Sequence, residues 1–387
     1  MTDTAPDSAD VVDMLAILRK WLEDNVRPTV LDLEHADTYP SEAVEQMREF
    51  GLFGATIPVE YGGLGLNAKA YAEIVTLISE TWMSLTGVIN SHLMMAHLIY
   101  RFGTDEQRRR FLPLLASGEL RGGLALTEPD CGTDLQAVRT TAVKQPAGSY
   151  RITGMKTWIT NAKYGNCLAL LVKTDPAAEP RHSGMSVFLV QKEDGYTADR
   201  KLGKLGYRGV DTAEVIFDDV DVPSDRLLGG IEGRGFAQTA GGLELGRINV
   251  AARGLGVAKA ALDASLRYSR MRHSMGKPIG QHQAIAIKLA DMACRVASAR
   301  ALIRDAAEAF DAGRRCDLEA GMAKLSATEA ALANATEALR IHGAYGYSTE
   351  EHVERFYRDA PLLCIGEGTN EIQRIVIARH LLSQEGK

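Results

Sequence analysis

Near the C-terminus a carboxylate stands between two glycines, in Ile365-Gly366-Glu367-Gly368-Thr369-Asn370-Glu371-Ile372-Gln373-Arg374. With no Cβ on either neighbour, backbone and ligand can approach Glu367 closely. Asn370 followed three residues later by Gln373 resembles a capping box, which places a helix start at Asn370. A carboxylate just ahead of a helix is a candidate general base, whereas a Glu in a glycine turn is by itself more often a solvated loop residue. Two other clusters could hold a ligand. Leu126-Thr127-Glu128-Pro129-Asp130-Cys131-Gly132-Thr133-Asp134 offers two threonine hydroxyls around a glycine turn, able to cradle a ring edge or a phosphate, or simply to form a turn. Gly154-Met155-Lys156 leads to Trp158-Ile159-Thr160, where an indole beside a hydroxyl can stack on a planar ring and bond to it, or pack inside a strand.

The elements that must position these clusters follow from hydrophobic period. Val11, Met14, Leu15, Leu18 and Leu22 recur at helical spacing, as do Tyr71, Ile74, Val75, Ile78 and Trp82. From about Gly122 short apolar runs alternate with turns. Leu168–Val172, Ser186–Val190 and the alternating Ala213, Val215 and Phe217 read as strands without intervening helices, which favours antiparallel pairing. After Gly235 the helical period returns. Ile285, Leu289, Met292, Val296, Ala299 and Ile303 form one stripe, and Leu318, Met322, Leu325, Leu332 and Leu339 another, with Gly313 turning the chain between them. The expected layout is an N-terminal α-helical domain (1–121), a small antiparallel β-barrel-like domain (122–234) and a C-terminal four-helix bundle (235–387), mainly α overall. Gly63-x-Gly65 follows no strand and is not expected to bind phosphate. His92 and His97 are five apart and read as packing residues, so no metal site is expected.

Composition narrows the function. A net charge of −6 and the lack of a basic run disfavour nucleic acid and anionic membrane surfaces as partners. No apolar run is long enough to span a bilayer, so no membrane insertion is expected. Met1–Asp10 is acidic and Pro/Ala/Ser-rich, unlike a signal or transit peptide, and the five cysteines lack any CxxC spacing. Reduced thiols in a cytoplasmic protein are the expectation.

Taken together and in register, TEPxxGTD, GxKxWIT and GEGTNEIQR resemble the acyl-CoA dehydrogenase family. Gly206-Tyr207-Arg208-Gly209, Phe217–Pro223, Arg272–Lys277 with His282-Gln283, and Ile341–Tyr347 extend the likeness over nearly the whole chain. The resemblance implies non-covalent FAD, an acyl-CoA substrate and a homotetramer or similar dimer. It implies α,β-dehydrogenation to a trans-2-enoyl-CoA, with Glu367 abstracting the α-proton and the β-hydride passing to the flavin, and an electron-transferring flavoprotein as acceptor. By position, Leu126, Thr127, Gly132, Thr133, Trp158, Ile159 and Thr160 resemble the family's flavin contacts within one chain, with Thr133 also on the substrate side. Thr369 and Glu371 resemble contacts after the catalytic turn. Arg272, Ser274, His282, Gln283, Arg340, Gly343 and Ala344 resemble contacts made across a subunit interface. Glu244, Arg247 and Gly368 resemble substrate-side positions. Arg340 stands where glutamine is usual, Ala344 where a second glycine is usual, and Gly366 where many members carry a tyrosine. The last implies room for a branched or bulky acyl group. Gly246 occupies the alternative base position of some relatives, which leaves Glu367 as the base. Leu85 falls where decarboxylating relatives carry a carboxylate-binding arginine, which argues against a glutaryl-type substrate. Arg208 is a candidate for contact with CoA. An oxygen-using oxidase and a non-catalytic binding or assembly protein of the same fold are the alternatives; oxidases usually carry a long C-terminal extension, and binding proteins lose the base.

Overall fold

The computed structural model describes residues 8–383; residues 1–7, which carry most of the leader-peptide reading, and 384–387 lie outside them. The chain opens with α1 (Ser8–Trp21), α2 (Val30–His35), α3 (Ser41–Glu49), α4 (Ala68–Phe102) and α5 (Asp105–Ala116). Leu18 and Leu22 and the whole Tyr71–Trp82 stripe are buried, as the helical period requires. Helix α4 breaks at Trp82, whose φ of −152° and ψ of 102° are extended. Both halves nevertheless pack antiparallel on the long helix that follows the sheet: Ser79 lies against Gly256, Met94 against Gly246 and Leu98 against Gly242. His92 lies 3.1 Å from the carbonyls of Phe53 and Leu115, a core role. At Gly63 a Cβ would lie 2.0 Å from the Ile57 carbonyl, so this glycine serves close backbone packing.

The sheet holds β1 (Gly122–Ala125), β2 (Thr141–Lys144), β3 (Tyr150–Thr160), β4 (Cys167–Lys173), β5 (Met185–Gln191) and β6 (Thr212–Val222). It is mixed, which corrects the expectation of purely antiparallel pairing. Strand β4 pairs parallel with β1 and, at Thr141–Lys173, with β2, while β2–β3, β3–β6 and β4–β5 are antiparallel. The reason is that the β2–β3 hairpin intervenes between β1 and β4, so neighbours in the sheet are not neighbours in the chain. Strand β3 shifts register against β6 between Lys156 and Ile159, a bulge that re-aims the side chains between them.

Helix α6 (Gly235–Met271) leads to a two-stranded hairpin, β7 (His273–Ser274) and β8 (Lys277–Pro278), then α7 (Gln283–Asp311), α8 (Asp317–His342), α9 (His352–Ile365) and α10 (Asn370–Ser383). On α7, Met292, Val296, Ala299 and Ile303 are buried as expected. On α8 the buried face is a different one. Ala320, Ala323, Ala327, Ala331, Ala335 and Ala338 face inward, and the expected stripe from Leu318 to Leu339 is only half-buried. Small residues win because α6 comes very close: a Cβ on Gly254 would lie 2.8 Å from the Ala327 carbonyl.

Candidate active site

Glu367 sits in the turn between α9 and α10 with φ of +54°, followed by Gly368 at +85°. A left-handed glutamate costs about 1–2 kcal/mol, so the surroundings must hold it there. They do so through three elements. Gly366 closes α9, its N–H donating to the Leu362 carbonyl at 2.7 Å. Buried Lys324 on α8 donates to the Gly368 carbonyl at 2.9 Å and to Asn370 Oδ1 at 2.8 Å. Thr369 caps the helix, which starts at Asn370 as expected: the Thr369 hydroxyl accepts from the Ile372 N–H at 3.3 Å. This corrects the reading of Asn370 as the cap. Asn370 is turned inward and buried, where Lys324 and Thr328 need its amide.

The Glu367 carboxylate reaches the seam between the second half of α4 and α6. Asn90 Nδ2 donates to its Oε1 at 2.6 Å, and Arg253 Nη1 stands 3.8 Å from the same oxygen. The other oxygen, Oε2, is buried and has no partner. Burial pushes the Glu367 carboxyl above its usual range, against the opposing pull of Arg253, Lys324 and the Asn90 amide. A group with that bias is a better proton acceptor than a solvated glutamate. Gly246 makes room for it: a Cβ there would lie 2.9 Å from Glu367 Oε2 and 2.7 Å from Met94 Cε. Gly246→Val is therefore expected to displace the carboxylate and lower turnover by about 100-fold or more, the cost of misplacing a reacting group by about 1 Å. Unchanged steady-state kcat in that variant would show that the carboxylate works from elsewhere.

The sheet brings the second cluster to the same seam. Asn161 donates to the carbonyls of Val88 on α4 and Gly122 on β1, both at 2.8 Å, and so docks the end of β3 beside Asn90. Trp158 lies on the β3 bulge with φ of +62° and is 56% exposed, so its indole stands clear of the sheet. Thr160 is half-buried beside it, whereas the Ile159 side chain points into the sheet core and leaves only backbone for a ligand. The Leu126–Thr133 loop is tied down by a buried ion pair, Lys156 to Glu128 at 2.8 Å, with Lys156 also donating to the Leu126 carbonyl at 3.0 Å. Thr157 N–H donates to the Thr127 carbonyl. Gly132 and Thr133 are exposed, and nothing lies within 4 Å of a Cβ on Gly132.

The remaining expected residues divide in two. Thr369, Gly368 and Glu371 accompany Glu367, with Glu371 exposed beside Arg374. Glu244 and Arg247 lie on α6 near Gly246, but Arg247 Nη1 engages Asp317 at 3.3 Å. Burial and Asp317 raise the Glu244 carboxyl. The others are far away. Met271 ends α6 about 37 Å along the helix from Gly246, from 1.5 Å per residue. Arg272, Ser274, His282 and Gln283 gather at that end, with His282 Nε2 3.0 Å from the Ser274 carbonyl. Tyr268 stacks on His342 at 4.3 Å, which brings Arg340, Gly343 and Ala344 to the same end, all exposed. One chain thus cannot bring both groups to one small ligand centre. Arg208, the candidate for contact with CoA, is half-buried and donates to the Lys204 carbonyl at 3.3 Å. Leu85 is fully buried in the core.

Sequence reading missed Asn90, Tyr207 and Arg253. The available signal was a lone cation in the apolar run Ile248–Val257, on a helix long enough to be buried.

Comparison with known proteins agrees with this arrangement. The chain matches three successive family domains: acyl-CoA dehydrogenase N-terminal domain over residues 8–119, middle domain over 123–220 and C-terminal domain over 233–382. It is 40% identical to the human mitochondrial short-chain specific acyl-CoA dehydrogenase, covering 95% of this chain and 89% of that one. It superposes on butyryl-CoA dehydrogenase from Megasphaera elsdenii with a TM-score of 0.94 at 34% identity, covering 98% and 100% of the two chains. A chain solved in work on the electron-transferring flavoprotein of Acidaminococcus fermentans gives 0.93 at 35% identity over 98% and 99%. The protein belongs to the acyl-CoA dehydrogenase family and is an FAD-dependent oxidoreductase acting on acyl-CoA thioesters.

Proposed function

We propose that this enzyme removes the α-proton and a β-hydride from a short acyl-CoA thioester, giving the trans-2-enoyl-CoA, with Glu367 as the base. The observation that carries this reading is the buried, unpartnered Glu367 Oε2 beside Gly246, an acceptor kept out of water with nothing to accept from. Asn90 holds the carboxylate through Oε1 and leaves Oε2 for the proton. The exposed Trp158 indole and the open Gly132–Thr133 loop fit a planar ring system. FAD held there, by Leu126, Thr127, Gly132, Thr133 and the Trp158–Thr160 segment, supplies the hydride acceptor. Thr369 and Glu371 would flank it from the α10 side.

A second copy of the chain is part of this proposal. Arg272, Ser274, His282, Gln283, Arg340, Gly343 and Ala344 are too far from their own Glu367, and all but the half-buried His282 are exposed, which suits contact with a neighbour's cofactor in a homotetramer. Arg340 already pairs with Glu337 at 2.8 Å and would have to turn from it to meet phosphate. The names of the similar proteins, short-chain acyl-CoA and butyryl-CoA dehydrogenase, favour a short acyl group, and we place an electron-transferring flavoprotein as the electron acceptor. Gly366 supports a site that takes branching: its φ of −71° suits any residue, and a Cβ there would meet only Leu362. Glu244, Arg247 and Gly368 remain the proposed substrate-side residues, Arg247 through a buried Nε that has no partner.

Anaerobic titration of the yellow holoprotein with butyryl-CoA should bleach its flavin absorbance. Full retention of colour with every thioester from four to eight carbons would overturn the dehydrogenase reading.

A further inference from the structure

The seam beside Glu367 ends in polar atoms that a saturated chain cannot satisfy. Arg253 is 3% exposed, and its Nε and Nη2 are buried without partners. Its guanidinium lies over the Tyr207 ring at 5.0 Å, and its nearest approach to a carboxylate is the 3.8 Å to Glu367 Oε1, beyond hydrogen-bond length. Asn249, fully buried on the same helix, donates to the Tyr71 hydroxyl at 2.8 Å and leaves its Oδ1 without a partner. Tyr207 is fixed against α4: a Cβ on Gly87 would lie 1.5 Å from its hydroxyl. Along α4, Met94, Asn90 and Gly87 follow one another at about one turn each, and along α6 Gly246, Asn249 and Arg253 do the same. The wall beside Glu367 is thus apolar at Met94 and Gly246 and becomes polar and cationic toward Arg253.

Charge points the same way. Two buried cations, Arg253 and Lys324, face one carboxylate, Glu367; the other acids near Lys324, Glu329 and Glu371, lie on the exposed side. Buried charges are retained where they are paired, and a guanidinium takes a carboxylate with two N–H groups at once. An alkyl terminus would bury Arg253 nitrogens against carbon, whereas a terminal carboxylate would satisfy them and balance the second cation.

We propose that Arg253 selects a short acyl thioester whose far end carries a carboxylate. This rests on the dehydrogenase reading for its chemistry but not for its test, which reads binding alone. Leu85, the position that argued against acid-ended substrates, lies in the core, and Arg253 on the other helix of the seam supplies the cation instead.

The test compares matched four-carbon thioesters, succinyl-CoA, 4-hydroxybutyryl-CoA and butyryl-CoA, by calorimetric titration of the FAD-loaded enzyme and of Arg253→Met and Arg253→Lys. The wild type should bind succinyl-CoA at least about ten-fold tighter than butyryl-CoA, the scale of a hydrogen bond to a charged group. Arg253→Met should abolish or invert that ratio, and Arg253→Lys should restore part of it. Wild-type binding of butyryl-CoA as tight as that of succinyl-CoA would overturn the proposal. So would a preference for the 4-hydroxy compound over the acid, or an equal loss for all three ligands in Arg253→Met. The wild-type ratio decides even if a variant fails to fold. Flavin bleaching by butyryl-CoA with no preference for the acid would leave the dehydrogenase standing and remove this specificity.

Discussion

Glu367→Gln is expected to lower substrate-driven flavin reduction by about 1,000-fold or more, within the range a positioned general base contributes. The substitution is nearly isosteric, so the amide oxygen can still accept from Asn90, and FAD and thioester binding should persist. Stopped-flow absorbance after mixing with substrate measures the effect. A rate within ten-fold of wild type would remove Glu367 from the reaction. The pH dependence gives an independent check. The working form of the base is the anion, and burial places the Glu367 carboxyl above its ordinary range. Wild-type reduction should therefore fall as pH drops through that raised value, and the residual rate of the Gln variant should lose this limb.

Lys156→Met is expected to destabilise the protein by about 3 kcal/mol and to release FAD, because breaking a buried ion pair from one side leaves an uncompensated charge. Lys156 is fully buried and Glu128 nearly so. Burial opposes both charges, yet Lys156 and the hydroxyl of Thr140 draw the Glu128 carboxyl below its ordinary range. The lowered carboxyl contributes stability at neutral pH that disappears as pH falls below the ordinary glutamate range and through its lowered folded-state value. In the variant Glu128 keeps only its bonds from Arg139 N–H and Thr140, and the Leu126 carbonyl loses its donor. The loop from Leu126 to Thr133 then has no anchor from β3 except the Thr157–Thr127 backbone bond. Denaturant unfolding and the flavin content of the purified protein measure the two effects. Glu128→Gln combined with Lys156→Met should recover part of the lost stability, since the stranded charge is gone. A single variant within 1 kcal/mol of wild type that retains its full flavin would show that the pair does not hold the loop.

Much of this protein was legible in its residues because the signals are local. A helical period needs only one chain segment, so α1, α4 and α7 were readable, and glycine spacing alone marked Glu367 as approachable. Motif order across the chain carried the family and its cofactor. What depends on two distant segments meeting was not legible. The parallel pairing of β1 with β4 depends on a hairpin folding between them, and the inward face of α8 is alanine because α6 lies against it. Thr369 rather than Asn370 caps α10 because Lys324 and Thr328 claim the asparagine from another helix. Arg253 has meaning only through what stands across the seam, Glu367 from the C-terminal turn and Tyr207 from the sheet connection. The sequence specified which chemical groups are present and the elements that bear them. Tertiary packing alone decided which of those groups share a dry space, since Coulomb energy and desolvation depend on separation and burial rather than on position in the chain.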